Sequence, residues 1–251
     1  MKTLEPTQEP KAGTPEFLQR RYYEATSRHF DEWHMEDFEH NEALRYISLL
    51  LGSLDAESVL DVGCGTGRGI RYFMQHHPAL RVHGVDPARA QLDHAMKAGV
   101  PGEILTQYDG VKLPFENGAF DIVCEFGALH HAAQPNVVVS EMTRVARKAV
   151  FISDCNRFGD GSYLARVTKL LLYKSGLWPL ADRLKTGGKG YVLSDTDGLA
   201  YSYSVFDSLD VVACWADRVI LIPTVSEKPV RSWFHPLLTS RNILVCGLKN
   251  V

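Results

Sequence analysis

The sequence predicts an α/β fold: a doubly wound, mostly parallel sheet with helices on both faces, preceded by N-terminal helices and carrying a helical insertion after its fifth strand. Three observations predict it. From Ser58 onward, short β-branched runs alternate with helical stretches. The runs are apolar almost throughout, as strands of a parallel sheet buried on both faces must be. The first of them ends in a glycine-rich loop that leads straight into a helix.

Residues 1–15 hold three prolines and one glycine and almost nothing apolar. They read as a disordered leader that cannot offset its own ordering entropy, and residues 16–251 as one domain. Between Phe17 and Leu51 the spacing of Phe30, Trp33, Phe38, Leu44, Ile47, Leu50 and Leu51 predicts two helices. Strands follow at 58–62, 81–86, 120–125 and 148–154, with a less regular one at 103–109. Helices are expected after Gly69, after Asp86 and after Asn136. The alternation then breaks, and residues 157–205 read as an inserted lid or substrate-specificity segment. A helix at 206–216 and strands at 217–224 and 241–249, joined by VSEKPVRSWFHPLLTS, complete the chain.

Composition narrows the function. The 251 residues carry 27 Lys plus Arg against 30 Asp plus Glu, a formal net charge of -3, which argues against a nucleic-acid partner, whose phosphates call for a basic surplus. Hydrophobic residues at 45% and charged residues at 23% give the usage of a packed globular core. The five cysteines stand no closer than about thirty residues apart, which suits neither a disulfide framework nor a zinc pair. A soluble, cytoplasmic protein is expected, since no apolar run approaches the ~20 residues of a membrane span.

The most informative segment is VLDVGCGTGRG at 59–69, a strand running into Gly63, Gly65, Gly67 and Gly69 and then a helix. Glycines at such a junction permit positive φ and let backbone N–H groups approach a ligand at a helix N-terminus. A dinucleotide fingerprint from Gly63 would need glycine or alanine where Arg68 stands, and a phosphate-binding P-loop would need Gly-Lys-Ser/Thr. Asp61, two residues before the first glycine, disfavours a pyrophosphate and favours a cationic guest. Asp86 ends the second strand 21 residues after Gly65, where it can accept from ribose hydroxyls or start the Pro87 helix as its cap. Asp109 before Gly110 can accept from an adenine amino group or serve as a turn residue.

These residues resemble the class I S-adenosylmethionine-dependent methyltransferases, and within them the methyltransferase type 11 group. The resemblance rests on VLDVGCGTGRG, VHGVDPA at 82–88, Asp109 before LPFENGAFDIVCEFGALHH, and the helix VVVSEMTRVARK at 137–148. It implies a Rossmann-like seven-stranded sheet and S-adenosylmethionine as cofactor. By this resemblance Gly63, Cys64, Gly65, Thr66 and Gly67 hold the methionine part, Asp86 and Pro87 the ribose side and Asp109 and Gly110 the adenine. Phe126 lines the cofactor, and Tyr23 or Tyr22 closes over it. The usual Lys-Pro-Gly-Gly turn after the last helix is replaced by Arg147-Lys148-Ala149.

Methyl transfer is an in-line displacement in which positioning supplies roughly 7–11 kcal/mol of the barrier. An acceptor hydroxyl also needs a base, and His130 and His131 stand after the fourth strand, where open α/β sheets place their ligands. Glu125 is placed to fix the cofactor ammonium or cap the turn. Asp154 and Asn156 are similar to ligands of metal-assisted O-methyltransferases, but without a third ligand no metal is expected. The acceptor is expected to be a small molecule, apolar or aromatic. Between 162 and 190, Arg166, Lys169, Lys174, Arg183, Lys185 and Lys189 face Asp182 alone among many leucines, the pattern of a basic amphipathic helix on an anionic membrane or of a lid packed on the sheet. Tyr191, Tyr201, Tyr203 and Phe206 line an acceptor cavity or pack the core, and Tyr203 is a candidate to orient an acceptor hydroxyl. Two other functions share these signals: a binding module that keeps the cofactor without turnover, and an NAD-dependent oxidoreductase, which Arg68 opposes.

Overall fold

The computed structural model describes residues 13–15, 17–19, 21–23, 25–26, 38–108, 111–194, 197–226 and 239–249. Residues 17–19, 21–23 and 25–26 are helical. The expected aromatic anchors Phe30 and Trp33, the expected adenine contacts Asp109 and Gly110, most of the leader and most of the segment joining the last two strands lie outside the described residues.

Helix α1 (Phe38–Leu51) precedes β1 (Ser58–Val62), α2 (Arg68–His76), β2 (Arg81–Asp86), α3 (Arg89–Lys97), β3 (Leu105–Gln107), β4 (Phe120–Phe126), α4 (Pro135–Val145) and β5 (Ala146–Cys155). Next come α5 (Tyr163–Lys174), α6 (Trp178–Lys185), the hairpin β6 (Tyr191–Ser194) and β7 (Gly198–Tyr201), then α7 (Leu209–Trp215), β8 (Arg218–Ser226) and β9 (Ser240–Leu248). Seven strands form one Rossmann-like sheet in the order β3-β2-β1-β4-β5-β9-β8, and β6-β7 stands apart from it. Strands β1 to β5 pair in parallel, whereas β9 runs antiparallel to both β5 and β8.

Alternation explains why the sheet is covered on both sides. Val59, Ile122, Phe151 and Leu244 point to the face packed by α1, α2 and α3. Their neighbours Leu60, Val123, Ile152 and Val245 point to the face packed by α4 and α7. Successive strand side chains alternate faces, so a strand covered twice must be apolar at every position. Phe73 and Phe151 are among the fully buried anchors, and truncating either costs about 3–5 kcal/mol.

Three local outcomes differ from the expectations. The third strand is only Leu105–Gln107, because Gly102–Ile104 before it form a 3-10 turn. No turn replaces the missing Lys-Pro-Gly-Gly: β5 starts at Ala146 directly after α4, and Arg147 pairs with Asp121 at 3.0 Å. The stretch around Tyr191 to Tyr201 is a hairpin whose register sets Tyr191 opposite Tyr201.

The strand order reverses between β1 and β4, and a crevice opens there beyond the strand C-termini, as it does wherever two neighbouring crossovers run to opposite sides. Most of the candidate residues described below lie around it.

Candidate functional site

The crevice belongs to a cavity of about 1030 Å³. Of the sequence candidates, Tyr23, Asp61, Gly63, Cys64, Gly65, Thr66, Asp86, Pro87, Glu125, Phe126, His130 and His131 line it. Gly67 does not. It precedes α2 in the left-handed region at φ 82, and a Cβ there would meet Val100 at 2.9 Å and Ala95 at 3.2 Å. Its role is to let the loop pack on α3. Gly63 combines φ 72 with a close approach, since a Cβ would stand 2.4 Å from that of Ala128.

The loop amides do not point where a phosphate would need them. Gly63 and Cys64 both donate to the Val85 carbonyl, at 2.8 and 3.0 Å, and Gly67 donates to Cys64 at 2.8 Å. Gly65 donates to Asp86 Oδ2 at 2.9 Å. The expectation that these N–H groups approach a ligand is therefore corrected for four of the loop's residues: the amides of Gly63, Cys64 and Gly65 turn to β2, and that of Gly67 closes a turn within the loop. A loop whose donors are satisfied internally is a poor anion cradle, because anion sites are made of free N–H groups.

The acidic groups are where unmet demand lies. Asp61 is 1% exposed, and its Oδ1 has no hydrogen-bond partner among the described residues. Burial raises its pKa to about 7, opposed by Arg68 and reinforced by Asp86. Glu125 is fully buried; Oε2 accepts from Ala128 N at 2.9 Å, while Oε1 has no partner. Burial and then Asp154 push its carboxyl well above the usual range. Asp86 accepts from Gly65 and, through Oδ1, from Ala88 N at 2.8 Å. It is not the cap of α3, which is Ala88; it ties the glycine loop to the start of that helix. Burial raises it to about 6. Buried carboxylate oxygens left unpaired are costly, and an ammonium or sulfonium in the crevice would pair with them. The residues present thus fit S-adenosylmethionine and oppose a dinucleotide.

Aromatic and helical residues enclose the crevice. Tyr23 lies edge-on to His131, with ring centroids 6.1 Å apart. Its hydroxyl pKa is raised by burial and by Asp86. Tyr22 instead packs on Gly198 of the hairpin. Phe126 lies edge-on to His40 of α1, whose Nδ1 is 3.1 Å from Ser153 Oγ.

The two histidines sit in unlike surroundings. His130 Nδ1 donates to Asp154 Oδ1 at 2.8 Å, and its Nε2 lies 3.3 Å from Asp197 Oδ2. Burial would lower this imidazole, but Asp154 and Asp197 hold its pKa well above 6.5. His131 Nδ1 lies 2.6 Å from the Leu199 carbonyl, which can only accept, so the proton sits on Nδ1. Gln19 Nε2 is 3.3 Å from the same nitrogen, and Gln19 Oε1 accepts from Leu199 N. Burial and the neighbouring His130 lower the pKa of His131, opposed by Asp197, whose Oδ1 lies 3.4 Å from Nε2, and by the Leu199 carbonyl. One ligand atom each of His130, His131 and Asp197 lies within 4.8 Å of the others, and the same holds for His130, Asp154 and Cys155, so both are sets with the donors to hold a metal ion.

Other candidates are committed elsewhere. Asn156 donates through Nδ2 to Ser240 O at 2.8 Å and accepts from Phe158 N at 3.1 Å, so it is not free beside Asp154. Tyr203 is buried and donates to Ser208 Oγ at 3.0 Å, which in turn donates to Asn136 at 2.7 Å. Its hydroxyl is a core link, although its ring reaches the cavity. Gln19, His40, Asp154 and Asp197 are site residues that the motifs did not assign; the one sequence signal among them was Asp154, at the C-terminal end of a central strand.

A family model described as a methyltransferase domain matches residues 60–152. Phosphatidylethanolamine N-methyltransferase of Cereibacter sphaeroides is 32% identical over 157 residues, 59% of this chain and 76% of that one. The 27-O-demethylrifamycin SV methyltransferase of Amycolatopsis mediterranei is 30% identical over 142 residues, 54% of this chain and 47% of that one, so this chain spans about half the length of that relative. Among solved structures, magnesium protoporphyrin IX methyltransferase of Synechocystis with bound S-adenosylhomocysteine superposes with a TM-score of 0.56 over 94% of this chain and 100% of that one, at 16% identity, which is a likeness of fold. The chain belongs to the class I S-adenosylmethionine-dependent methyltransferases, with S-adenosylmethionine as its cofactor.

Proposed function

We propose that the protein transfers a methyl group to a hydroxyl of a small-molecule acceptor, with His131 as the base. The observation that carries this reading is the 2.6 Å contact of His131 Nδ1 with the Leu199 carbonyl, which leaves Nε2 as a proton acceptor inside the cavity. When bound, S-adenosylmethionine supplies an electrophilic methyl group on a sulfonium. Asp61 and Glu125 pair with its cationic end, Gly63, Cys64, Gly65 and Thr66 form the wall beside the methionine part, Asp86 and Pro87 face the ribose, and Tyr23 and Phe126 exclude water. His130, charged between Asp154 and Asp197, holds Asp197 in place and keeps His131 neutral. His131 Nε2 takes the acceptor's proton as the acceptor oxygen attacks. A base of this kind contributes about 10²–10⁴ in rate, and positioning supplies the remainder.

Residues 157–205 form the specificity segment of this reading. Trp178, Tyr201 and Tyr203 give the acceptor side of the cavity an aromatic wall, which supports an apolar or aromatic acceptor. Two relatives named for ubiquinone biosynthesis and for 27-O-demethylrifamycin support an oxygen acceptor, whereas the phosphatidylethanolamine relative is named for nitrogen. All five cysteines are free thiols, which supports a reducing, cytoplasmic setting. No helix among the described residues is long and apolar enough to cross a membrane.

The test is incubation of the protein with isotopically labelled S-adenosylmethionine and a metabolite extract, with mass spectrometry for methylated products. Labelled methyl on an oxygen, lost in His131→Ala, is the expected result. Cofactor binding with no methylated product from any extract would make the chain a binding module instead.

A further inference from the structure

The inserted helices α5 and α6 expose what a packed lid would hide. Neither contains a single buried residue. Of the 14 large apolar side chains that stand exposed among the described residues, 8 fall between Tyr163 and Leu193. Leu164 and Leu171 lie one heptad apart on one face of α5, and Leu177, the residue before α6, is followed at three- and four-residue spacing by Leu180 and Leu184 within it. Leu164 and Leu184 are each 76% exposed. Single exposed leucines are ordinary, but five exposed leucines between 164 and 184 on two consecutive helices mark an interaction surface.

The charge around these leucines selects the partner. Residues 162–190 carry six basic groups against Asp182. No ion pair among the described residues engages Lys174, Arg183 or Lys189. A second copy pairing through this face would set like charges against like, which disfavours it. Leucines flanked by unpaired Lys and Arg on surface helices suit the interface of an anionic bilayer, where the side chains enter the headgroup boundary and the cations meet the phosphates.

We propose that the outer face of α5 and α6 docks the protein on an anionic lipid surface, as a peripheral contact made by Leu164, Leu171, Leu177, Leu180 and Leu184 with the flanking cations. The same helices present Lys169, Trp178 and Lys185 to the cavity from their other side. Docking therefore brings the cavity's basic rim to the bilayer, where an amphiphilic acceptor would be met. The surface stands on its own geometry and does not depend on which acceptor or base is used.

Flotation of the full-length protein with phosphatidylglycerol-containing vesicles, and with pure phosphatidylcholine vesicles, tests it. Binding to the anionic vesicles at low salt is expected, with loss in high salt and on neutral vesicles. The triple variant Leu164→Ser, Leu171→Ser, Leu184→Ser should weaken that binding by at least about tenfold while keeping wild-type affinity for S-adenosylhomocysteine, which reports an intact fold. The control Leu49→Ser, at an exposed position on α1, should bind vesicles as wild type does. Failure of the wild type to float at low salt, or equal flotation of the triple variant, overturns the proposal. So does light scattering that finds a dimer which the triple substitution splits, because the leucines would then be covered by a second copy.

Discussion

The crevice and the inserted helices meet in one cavity, yet they are built on opposite physical terms. At the crevice, Asp61, Asp86 and Glu125 are all but fully buried, and two of their oxygens have no partner. Along α5 and α6, leucines stand in solvent and no residue is buried. One region withholds water from charge and the other offers apolar surface to it. Among the described residues each lacks a partner: a cation in the first case and, on the proposal above, an anionic bilayer in the second. The difference teaches that binding demand can be read as an uncompensated cost, and that the sign of the cost names the chemistry of the guest.

Substitutions separate the two regions by size of effect. His131→Ala should lower kcat by about 10²–10⁴ and leave S-adenosylhomocysteine affinity unchanged in a calorimetric titration; an equal loss in both would make His131 a structural residue. The pH profile sharpens this. His131 is lowered and His130 raised, so activity should rise through an acid limb below 6.5 as His131 loses its proton, and fall on an alkaline limb above 6.5 as His130 loses its own.

Beneath the crevice, Ile70 is fully buried against the sheet, and Ile70→Ala should cost about 2–5 kcal/mol in denaturant unfolding. Asp86→Ala removes the acceptor of the Gly65 and Ala88 amides and, on the proposed reading, the ribose contact. It should weaken S-adenosylhomocysteine binding by about 1.5–3 kcal/mol. Leu184→Ala, in the other region, should change unfolding free energy by less than about 0.5 kcal/mol; a loss as large as that of Ile70 would mean that α6 is packed after all. On the reading that a protonated His130 balances Asp197, a chelator should leave turnover unchanged. Inactivation reversed by adding a divalent cation would put a metal at that point.

Much of the scaffold was legible in the chain because its signals are local. Continuous apolar runs such as SVLDV and KAVFISD state that both faces are covered, and the helices between them follow from spacing. Gly63 and Asp86 were legible for the same reason, as strand ends adjoining their own loops. The direction of the loop amides was not, because Gly63 and Cys64 donate to Val85, and that depends on how β2 lies beside β1. Asp197 and Gln19 reach the histidines from the hairpin and from the leading helical residues, through contacts that no spacing encodes. The leucines at 164–184 were legible as amphipathic, but their periodicity is the same for a packed face and an exposed one. Packing, not pattern, decided between them.

The central claim is that buried, unpaired carboxylates select a cationic adenosyl ligand. Burial pushes the Asp61 carboxyl from 3.8 up to about 7, so the folded state keeps a proton that the unfolded chain has lost, and the stability this provides disappears as pH rises through about 7. An ammonium bound beside Asp61 reverses the preference, because it needs the ionised form. Calorimetric titration with S-adenosylhomocysteine at about pH 6 and about pH 8, in buffers of different ionisation enthalpy, should show proton release at the lower pH and tighter binding at the higher one. Equal affinity at both pH values without proton release, in wild type and Asp61→Asn alike, would contradict it.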